Sequence, residues 1–398
     1  MRPTTPLGTV EILERLVACP TVSRDSNLPL IEWVRNYLAD YGVDSHVVPD
    51  ATGGKANLFA LVGPAEEGGL VLSGHTDVVP VDGQSWNSDP FKLTAQGSRL
   101  HARGACDMKG FIAAALAQVP AWTASNLTRP VYLMFSYDEE TGCLGAPSMI
   151  AAACERLPRP AAVIVGEPTG MRIANEHKGI CAIHTRVSGI EAHSSLTHQG
   201  VSAVMLASDL ITQIGQLSRK IIVRRKREIA AGARPVSQFE PPYTTLSVNR
   251  IQGGTAVNIL AALCEFDWDI RTLPGETVTG ILDELSRYAT TRLAELLQEG
   301  KRCCIETTVR ADVPALVASG GAAEQLARAA SGRDDEAITV SFSTEGGQFQ
   351  RVGWSTVVCG PGSIEQAHKP DEFIERSELE SCEAFLRRAV ERTCLIKR

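Results

Sequence analysis

The sequence lacks the features that mark several large classes of protein. None of its 11 cysteines stands at Cys-x-x-Cys spacing from another, which argues against a thiolate zinc cluster or a disulfide framework. Its apolar runs, such as residues 111–116, are far too short to span a bilayer. The N-terminus has no basic start followed by an apolar segment, so no signal peptide is expected. We therefore expect reduced cysteines, a cytoplasmic location and no membrane partner.

The sequence is also short of basic residues. Its 39 Lys and Arg are outnumbered by 46 Asp and Glu, which gives a formal net charge of −7. Nucleic-acid binding requires a basic surface, so no nucleic-acid partner is expected. Residues 219–227 form the one basic cluster. It could bind phosphate groups, but no aromatic residues interleave with it, and cations are common at the C-terminal end of a solvated helix.

The composition that is present is that of a globular protein, with 44% hydrophobic and 21% charged residues in 398. This length suggests about two domains. Short apolar runs typical of strands alternate with helical patterns, which predicts an α/β domain with a mostly parallel mixed sheet flanked by helices. The predicted strands are residues 58–62, 70–72, 131–135, 161–165 and 356–359. The predicted helices are residues 8–19, 28–41, 108–119, 146–154 and 322–330.

The middle of the chain has a different order of elements. Predicted strands 181–187, 244–251, 262–271 and 303–309 and helices 201–217 and 278–298 follow the order β-α-β-β-α-β, which is typical of an α+β ferredoxin-like domain. We therefore predict an inserted domain over residues 181–312. Residues 1–180 and 313–398 would form the discontinuous α/β domain. Glycine and proline residues predict a loop over residues 230–243.

Chemically reactive side chains follow the predicted strands. They are His75, Asp77, Glu139, Glu140, Glu167 and His368, with Asp107 after a further strand-like run at residues 100–103. In open α/β sheets ligands bind beyond the carboxyl ends of the strands, so we expect the five strand ends to lie in one sheet and to bring these side chains together. Imidazole and carboxylate groups without thiolate suit zinc, cobalt or manganese. A hydrolytic site with two metals needs five or six such ligands and one further carboxylate that accepts a proton.

Several longer motifs carry a resemblance to a known family over nearly the whole chain. They are residues 73–80, 105–110, 138–140, 166–169, 177–179, 192–195, 269–275, 344–345 and 360–372. With these motifs the sequence resembles the acetylornithine deacetylase branch of the zinc-dependent aminoacylase, carboxypeptidase and succinyl-diaminopimelate desuccinylase superfamily. Residues 269–275 and 360–372 point to the acetylornithine branch in particular.

The resemblance implies a site with two divalent metal ions, zinc before cobalt. His75 and Glu167 would bind one ion, Glu140 and His368 would bind the other, and Asp107 would bridge both. Glu139 would be the general base that activates a water between the metals and later protonates the leaving amine. Asp77 would orient the imidazole of His75, as carboxylates beside metal-binding histidines do. The resemblance also implies a cis peptide bond after Asp107.

The inserted domain would act as a lid and as the surface of a homodimer in this family. The resemblance gives His193 the role of stabilising the oxyanion, reaching across the dimer. Arg271 would grip the carboxylate of the substrate, since guanidinium binds carboxylate in a bidentate manner, and Asn258 would assist by hydrogen bonding. His177 would serve as hinge or substrate support rather than as a metal ligand.

The implied reaction is removal of the acetyl group from N²-acetyl-L-ornithine to give L-ornithine and acetate, a step of arginine biosynthesis. The same chemistry on acetylcitrulline, another N-acyl amino acid, succinyl-diaminopimelate or a dipeptide stays open, because Gly346 follows Thr344-Glu345 where relatives have alanine. A metal-free binding protein on the same scaffold is the alternative from another class. Every ligand position is filled in this sequence, which favours the enzyme.

Overall fold

A computed structural model of the chain describes residues 6–232, 239–333 and 335–395. The chain folds into two compact units. The larger unit comprises Met1–Glu176, Leu316–Thr339 and Thr344–Arg398, and the smaller unit comprises His177–Ala315 and Val340–Ser343. Part of the loop predicted over residues 230–243 lies outside the described residues. No helix in the described ranges combines the length and the apolar character needed to cross a membrane.

The larger unit is built on an eight-stranded mixed sheet. Its strands are β1 (Ser45–Pro49), β2 (Ala56–Val62), β3 (Leu70–His75), β6 (Val131–Ser136), β7 (Ala162–Pro168), β8 (Ala174–His177), β13 (Ile338–Val340) and β14 (Thr356–Gly360). The order across the sheet is β1-β2-β6-β3-β7-β14-β8-β13. The four central strands β6, β3, β7 and β14 pair in parallel, whereas β1 pairs antiparallel with β2, β2 with β6, and β8 with β14. This arrangement confirms the predicted mixed α/β fold.

Helices cover the faces of this sheet, which explains why its central strands are apolar without alternation. Every residue of β3, β6, β7 and β14 is buried. Strands buried on both faces have no solvent side that would select polar residues. The helices are α1 (Thr9–Val17), α2 (Leu28–Asp40), α3 (Gly110–Ala124), α4 (Ala146–Arg156), α7 (Ala322–Ser331), α8 (Gly346–Arg351) and α9 (Arg376–Cys394).

One sequence-based expectation about this sheet is wrong. The strand-like run at residues 100–103 does not join the central sheet. It contributes to a separate three-stranded sheet of β4 (Thr94–Gln96), β5 (Arg99–His101) and β15 (Phe373–Glu375), in the order β15-β5-β4. Its pairing with β15 joins residues more than 270 positions apart, so local sequence gives no indication of it.

The smaller unit has the predicted order β-α-β-β-α-β. Its elements are β9 (Gly179–Ser188), α5 (Ala203–Ala230), β10 (Thr245–Gly253), β11 (Leu263–Thr272), α6 (Thr279–Gln298) and β12 (Cys304–Val313). The antiparallel sheet has the order β10-β11-β9-β12. In β11 the side chains alternate, with Cys264, Phe266, Trp268 and Ile270 buried in the core of the unit. One face of this sheet therefore packs against its helices.

Helix α5 extends well past residue 217, where its predicted end lay. The basic cluster occupies this extension and pairs with acidic neighbours. Lys220 Nζ lies 3.0 Å from Glu284 Oε1, and Arg225 Nη1 lies 3.1 Å from Glu228 Oε2. Part of the cluster's charge is thus neutralised within the smaller unit, as expected of the end of a surface helix.

His177 is a fully buried residue at the start of the smaller unit. Its Nδ1 lies 2.9 Å from the carbonyl oxygen of Lys178, and its Nε2 is buried without a hydrogen-bond partner among the described residues. Burial lowers the pKa of His177 to about 4. The ring is therefore neutral in the folded protein at neutral pH.

We predict that His177 makes stability depend on pH below about 6.5, its usual pKa in an unfolded chain. Because the unfolded state takes up the proton first, stability is complete above this pH and falls as the pH approaches 4. Between pH 7 and pH 5 the wild type should lose about 2 kcal/mol more than His177→Asn, whose amide keeps the bond to Lys178 and does not titrate. Urea unfolding at both pH values measures the difference. The exposed His198→Asn is the control, and a His177→Asn profile equal to that of wild type would contradict the prediction.

Candidate metal centre

The carboxyl ends of the parallel strands bring the predicted site residues together. His75 is the last residue of β3, Glu167 lies near the end of β7, and Glu139 and Glu140 follow β6 closely. The backbone N–H of Thr76 donates to the carbonyl of Ser136, which ties the ends of β3 and β6 to each other. Neighbouring parallel strands end at the same edge of a sheet, so residues distant in sequence converge there.

Asp107 reaches this edge by a different route. Along the chain it lies between β5 and the start of α3. The Asp107–Met108 peptide bond is cis, as the family resemblance implies. Its Oδ1 lies 3.0 Å from His75 Nε2, and its Oδ2 lies 3.5 Å from His368 Nε2. The two carboxylate oxygens of Asp107 therefore face two different histidines.

The side chains around Asp107 form two groups that share it. In one, His75 Nε2 lies 3.7 Å from Glu167 Oε1. In the other, His368 Nε2 lies 3.0 Å from Glu140 Oε2. Glu139 borders the first group, since ligand atoms of His75, Glu139 and Glu167 lie within 4.8 Å of one another. The structure thus brings the five predicted ligands and the predicted base into one cluster.

The charge of this cluster is unbalanced without cations. Burial and the neighbouring Asp107 raise the pKa of Glu140 and the pKa of Glu167. Burial raises the pKa of Glu139 to about 8; the charge of His75 opposes this rise, and repulsion from Glu140 adds to it. Oε1 of Glu167 is buried and has no hydrogen-bond partner among the described residues. Buried carboxylates are stable when they are paired or bind metal, so this donor set fits divalent cations.

His75 and His368 offset part of the negative charge of the cluster, because both hold protons. Hydrogen bonds to Asp107 and Glu140 raise the pKa of His368 to about 10. Burial acts to lower the pKa of His75, but its hydrogen bond to Asp107 and the charge of Glu167 outweigh burial and raise this pKa well above its usual range. Metal ions bind neutral imidazole, so these protons would have to leave when metal binds.

Asp77 contributes to the cluster through both its backbone and its side chain. His75 Nδ1 lies 2.9 Å from the carbonyl oxygen of Asp77 and 3.6 Å from its carboxylate, so the nearer acceptor for an Nδ1–H is the carbonyl. This tautomer leaves Nε2 free to bind metal. The carboxylate instead accepts the backbone N–H groups of Glu139, at 3.0 Å, and Glu140, at 3.3 Å. Asp77 therefore also holds the loop that carries these glutamates.

Two further contacts fix this loop, and sequence reasoning missed both. Lys55 Nζ lies 2.6 and 2.8 Å from the two carboxylate oxygens of Asp138, which has the left-handed φ of 54°. The thiol of Cys143 donates to Glu139 Oε1 over 3.2 Å. The loop is thus anchored on each side of the predicted base.

Glu345 contacts the strands β3 and β6 close to their carboxyl ends, next to the cluster. It is buried, and its two oxygens accept the hydroxyls of Ser73, at 2.6 Å, and Ser136, at 2.8 Å. Burial raises the pKa of Glu345, and these hydroxyls oppose the rise. The signal that could have revealed this contact is the presence of serine in the otherwise apolar strands β3 and β6.

Glu372 is a second buried carboxylate whose role sequence reasoning missed. Its Oε1 accepts the backbone N–H groups of Cys106, at 2.9 Å, and Asp107, at 3.1 Å. Its Oε2 lies 2.7 Å from Nη1 of the buried Arg103. Since charged residues are rarely fully buried unless paired, this ion pair is a fixed support for the backbone of Asp107.

The remaining predicted residues belong to the smaller unit. His193 and Asn258 are exposed and lie on adjacent segments, because the N–H of Ser194 donates to the carbonyl of Asn258 over 2.9 Å. His193 Nδ1 lies 2.8 Å from the hydroxyl of Ser195. Arg271, at the end of β11, donates from Nε to Asp269 over 3.1 Å and is partly exposed. His193 and Asn258 are thus neighbours, and the roles of all three stay predictions.

The α/β fold and the cluster of imidazole and carboxylate donors are those of a metal-dependent hydrolase. Residues 71–392 match the family model described as peptidase family M20/M25/M40, and the chain belongs to this family. The chain is similar in fold to an M20 family metallo-carboxypeptidase from Sulfolobus solfataricus, with a TM-score of 0.74 and 18% identity over 96% of this chain and 98% of the other.

Sequence relatives are closer than this structural neighbour. An acetylornithine deacetylase of Proteus mirabilis is 33% identical over 98% of this chain and 97% of its own length. An acetylornithine deacetylase of Yersinia pseudotuberculosis is 35% identical over 97% of each chain. The similarity therefore covers both units and not the metal cluster alone.

We predict that the metal-free protein binds divalent zinc more tightly as the pH rises from 6.5 to 8. The reason is that His75, His368 and Glu167, whose pKa values are raised, must give up protons to the solvent. Isothermal titration in two buffers of different ionisation enthalpy measures both affinity and proton release. His368→Ala should bind one zinc fewer and release fewer protons. An affinity independent of pH would contradict the prediction.

Proposed function

We propose that the protein removes the acetyl group from N²-acetyl-L-ornithine, giving L-ornithine and acetate, as a step of arginine biosynthesis in the cytoplasm. The observation that carries this proposal is the similarity to relatives named acetylornithine deacetylase at 33–35% identity over 97–98% of the chain. The buried cluster of imidazole and carboxylate donors supports the hydrolytic chemistry.

In this proposal the chain holds two divalent metal ions, zinc before cobalt. His75 and Glu167 hold one, Glu140 and His368 hold the other, and Asp107 serves both. The support is the geometry of Asp107, whose two oxygens face the two histidines at 3.0 and 3.5 Å. When bound, a pair of metal ions polarises an amide carbonyl and lowers the pKa of water.

Glu139 acts as general base in the proposed reaction. Its carboxylate borders the cluster, and Cys143 and the backbone contact to Asp77 fix its position. A carboxylate that receives a proton from water and passes it to the leaving amine needs a pKa closer to neutrality than that of a free side chain. Burial provides such a rise in the pKa of Glu139.

The smaller unit supplies the groups that recognise the substrate in this proposal. Arg271 binds the carboxylate of the acetylated amino acid, Asn258 hydrogen-bonds to the substrate, and His193 donates to the oxyanion. A homodimer formed through the smaller unit would bring His193 to the partner's metal centre. The exposure of His193 and Asn258 and the partial exposure of Arg271 leave these side chains accessible to a ligand.

The substrate is tested with a panel of acyl amino acids. With zinc or cobalt bound, we expect kcat/KM for N²-acetylornithine to exceed that for acetylcitrulline, succinyl-diaminopimelate and a dipeptide by about tenfold or more, which corresponds to about 1.4 kcal/mol of transition-state binding. Release of acetate and of the free amine gives the rates. Equal or faster turnover of acetylcitrulline or a dipeptide would reject ornithine as the specific substrate.

Substitution of the neighbouring residues Glu139 and Glu140 tests the assignment of the general base. Glu139→Ala should retain both metal ions but lose several orders of magnitude, roughly 10²–10⁴, in kcat because no group accepts the proton. Glu140→Ala is the matched control, since it removes a ligand and should lose metal as well as activity. Metal content and steady-state rates separate the two effects. A Glu139→Ala enzyme of near wild-type rate would show that another group is the base.

A further inference from the structure

His368 differs from the other proposed ligands in its surroundings. It lies in the segment 361–372 between β14 and β15, its φ is +65°, and half of its side chain, 52%, is exposed. The side chain of His75 is only 1% exposed and lies at the end of a central strand. Non-glycine residues adopt a left-handed backbone at a cost, so the loop needs contacts that hold His368 in this conformation.

Gln84 makes such a contact with the backbone of His368. Its Nε2 donates to the carbonyl oxygen of His368 over 2.8 Å. Its Oε1 accepts from Arg103 Nη2 over 2.7 Å and from Trp86 Nε1 over 3.1 Å. The two donors fix the oxygen end of the amide, so its nitrogen must point at His368.

Arg103 anchors Gln84 within the larger unit. Its guanidinium is buried, forms the ion pair with Glu372, and stacks on the ring of Trp86 with a distance of 5.1 Å from Cζ to the ring centroid. Glu372 in turn holds the backbone N–H of Asp107 over 3.1 Å. A continuous set of hydrogen bonds therefore runs from the backbone of Asp107 to the backbone of His368.

We propose that Gln84 is a positioning residue for His368, and that it sets the affinity of the metal position that His368 shares with Glu140 and Asp107. The inference rests on the ligand roles in the proposed function. Gln84 has no corresponding contact with His75, which β3 positions. Loss of its amide donor therefore weakens one metal position and spares the one formed by His75 and Glu167.

Gln84→Glu is the variant that isolates this bond. A carboxylate still accepts from Arg103 and Trp86, but it cannot donate to the carbonyl of His368. Outer contacts to metal ligands change affinity by about 10–100-fold. We expect zinc titration of the metal-free protein to give two binding events. The event that His368→Ala abolishes should lose about tenfold or more in Gln84→Glu, while the other stays within about twofold. Gln84→Ala should weaken the same event.

Asn87→Ala is the matched control. Asn87 lies in the same loop as Gln84 and donates its backbone N–H to Asp371 over 2.8 Å, and its side chain also bonds Asp371, so the variant loosens the same segment without touching His368. It should leave both affinities unchanged. The thermal midpoint of the metal-free protein should be the same in Gln84→Glu as in the wild type, because this variant loses only the exposed bond to His368. Gln84→Ala also loses the bonds from Arg103 and Trp86, so its midpoint is not a criterion.

The outcomes separate this inference from the proposed function. Two zinc ions bound by the wild type with unchanged affinities in Gln84→Glu would overturn the inference alone. The same loss in Asn87→Ala as in Gln84→Glu would also overturn it, since general loosening would then be the cause. A wild-type protein that binds fewer than two zinc ions would overturn the two-metal proposal, and the inference with it.

Discussion

Mutual repulsion among buried carboxylates is the constraint on which the site depends. Asp107, Glu139, Glu140 and Glu167 meet at the carboxyl ends of parallel strands, where burial raises the pKa of the three glutamates. The imidazoles of His75 and His368 have raised pKa values, so they hold protons and offset part of the negative charge of the carboxylates. An arrangement of this kind costs folding free energy, because isolated charges are unfavourable in a protein interior. Cations offset the cost, and the donor set is the one that divalent metals prefer.

The same constraint explains why further acidic residues surround the cluster without belonging to it. Asp77 accepts a hydrogen bond from the backbone N–H of Glu139, in the loop that carries the proposed base. Glu372 accepts hydrogen bonds from the backbone N–H groups of Cys106 and Asp107. Glu345 accepts two serine hydroxyls from the central strands. Each carboxylate thereby fixes a backbone or strand position next to the cluster. The rigid support limits how far repulsion could separate the proposed ligands.

Sequence alone predicted the strands that end at the site and the residues that follow them. The apolar runs before His75, Glu139 and Glu167 are continuous because both faces of the central sheet are covered, and such runs are visible locally. The route of Asp107 was not visible, since β5 pairs with β15 and not with the central sheet. The hydrogen bonds that run from Gln84 through Arg103 to Glu372 could not be predicted from the sequence either. Their partners are separated by up to 284 positions, and no periodic pattern encodes such contacts.

In the proposed function, hydrolysis and the choice of substrate depend on different parts of the chain. The fold is shared, at a TM-score of 0.74, with a protein described as a metallo-carboxypeptidase, and a fold alone does not determine which bond is hydrolysed. In the proposed function the cluster provides the hydrolytic chemistry, whereas selection among acyl amino acids requires groups that contact the rest of the substrate. Arg271 and Asn258 in the smaller unit are candidates for that role, and their surroundings differ in kind from the buried cluster because they are accessible to solvent. In this proposal, specificity can therefore change through exposed residues without any change in the buried donors that are proposed to hold metal.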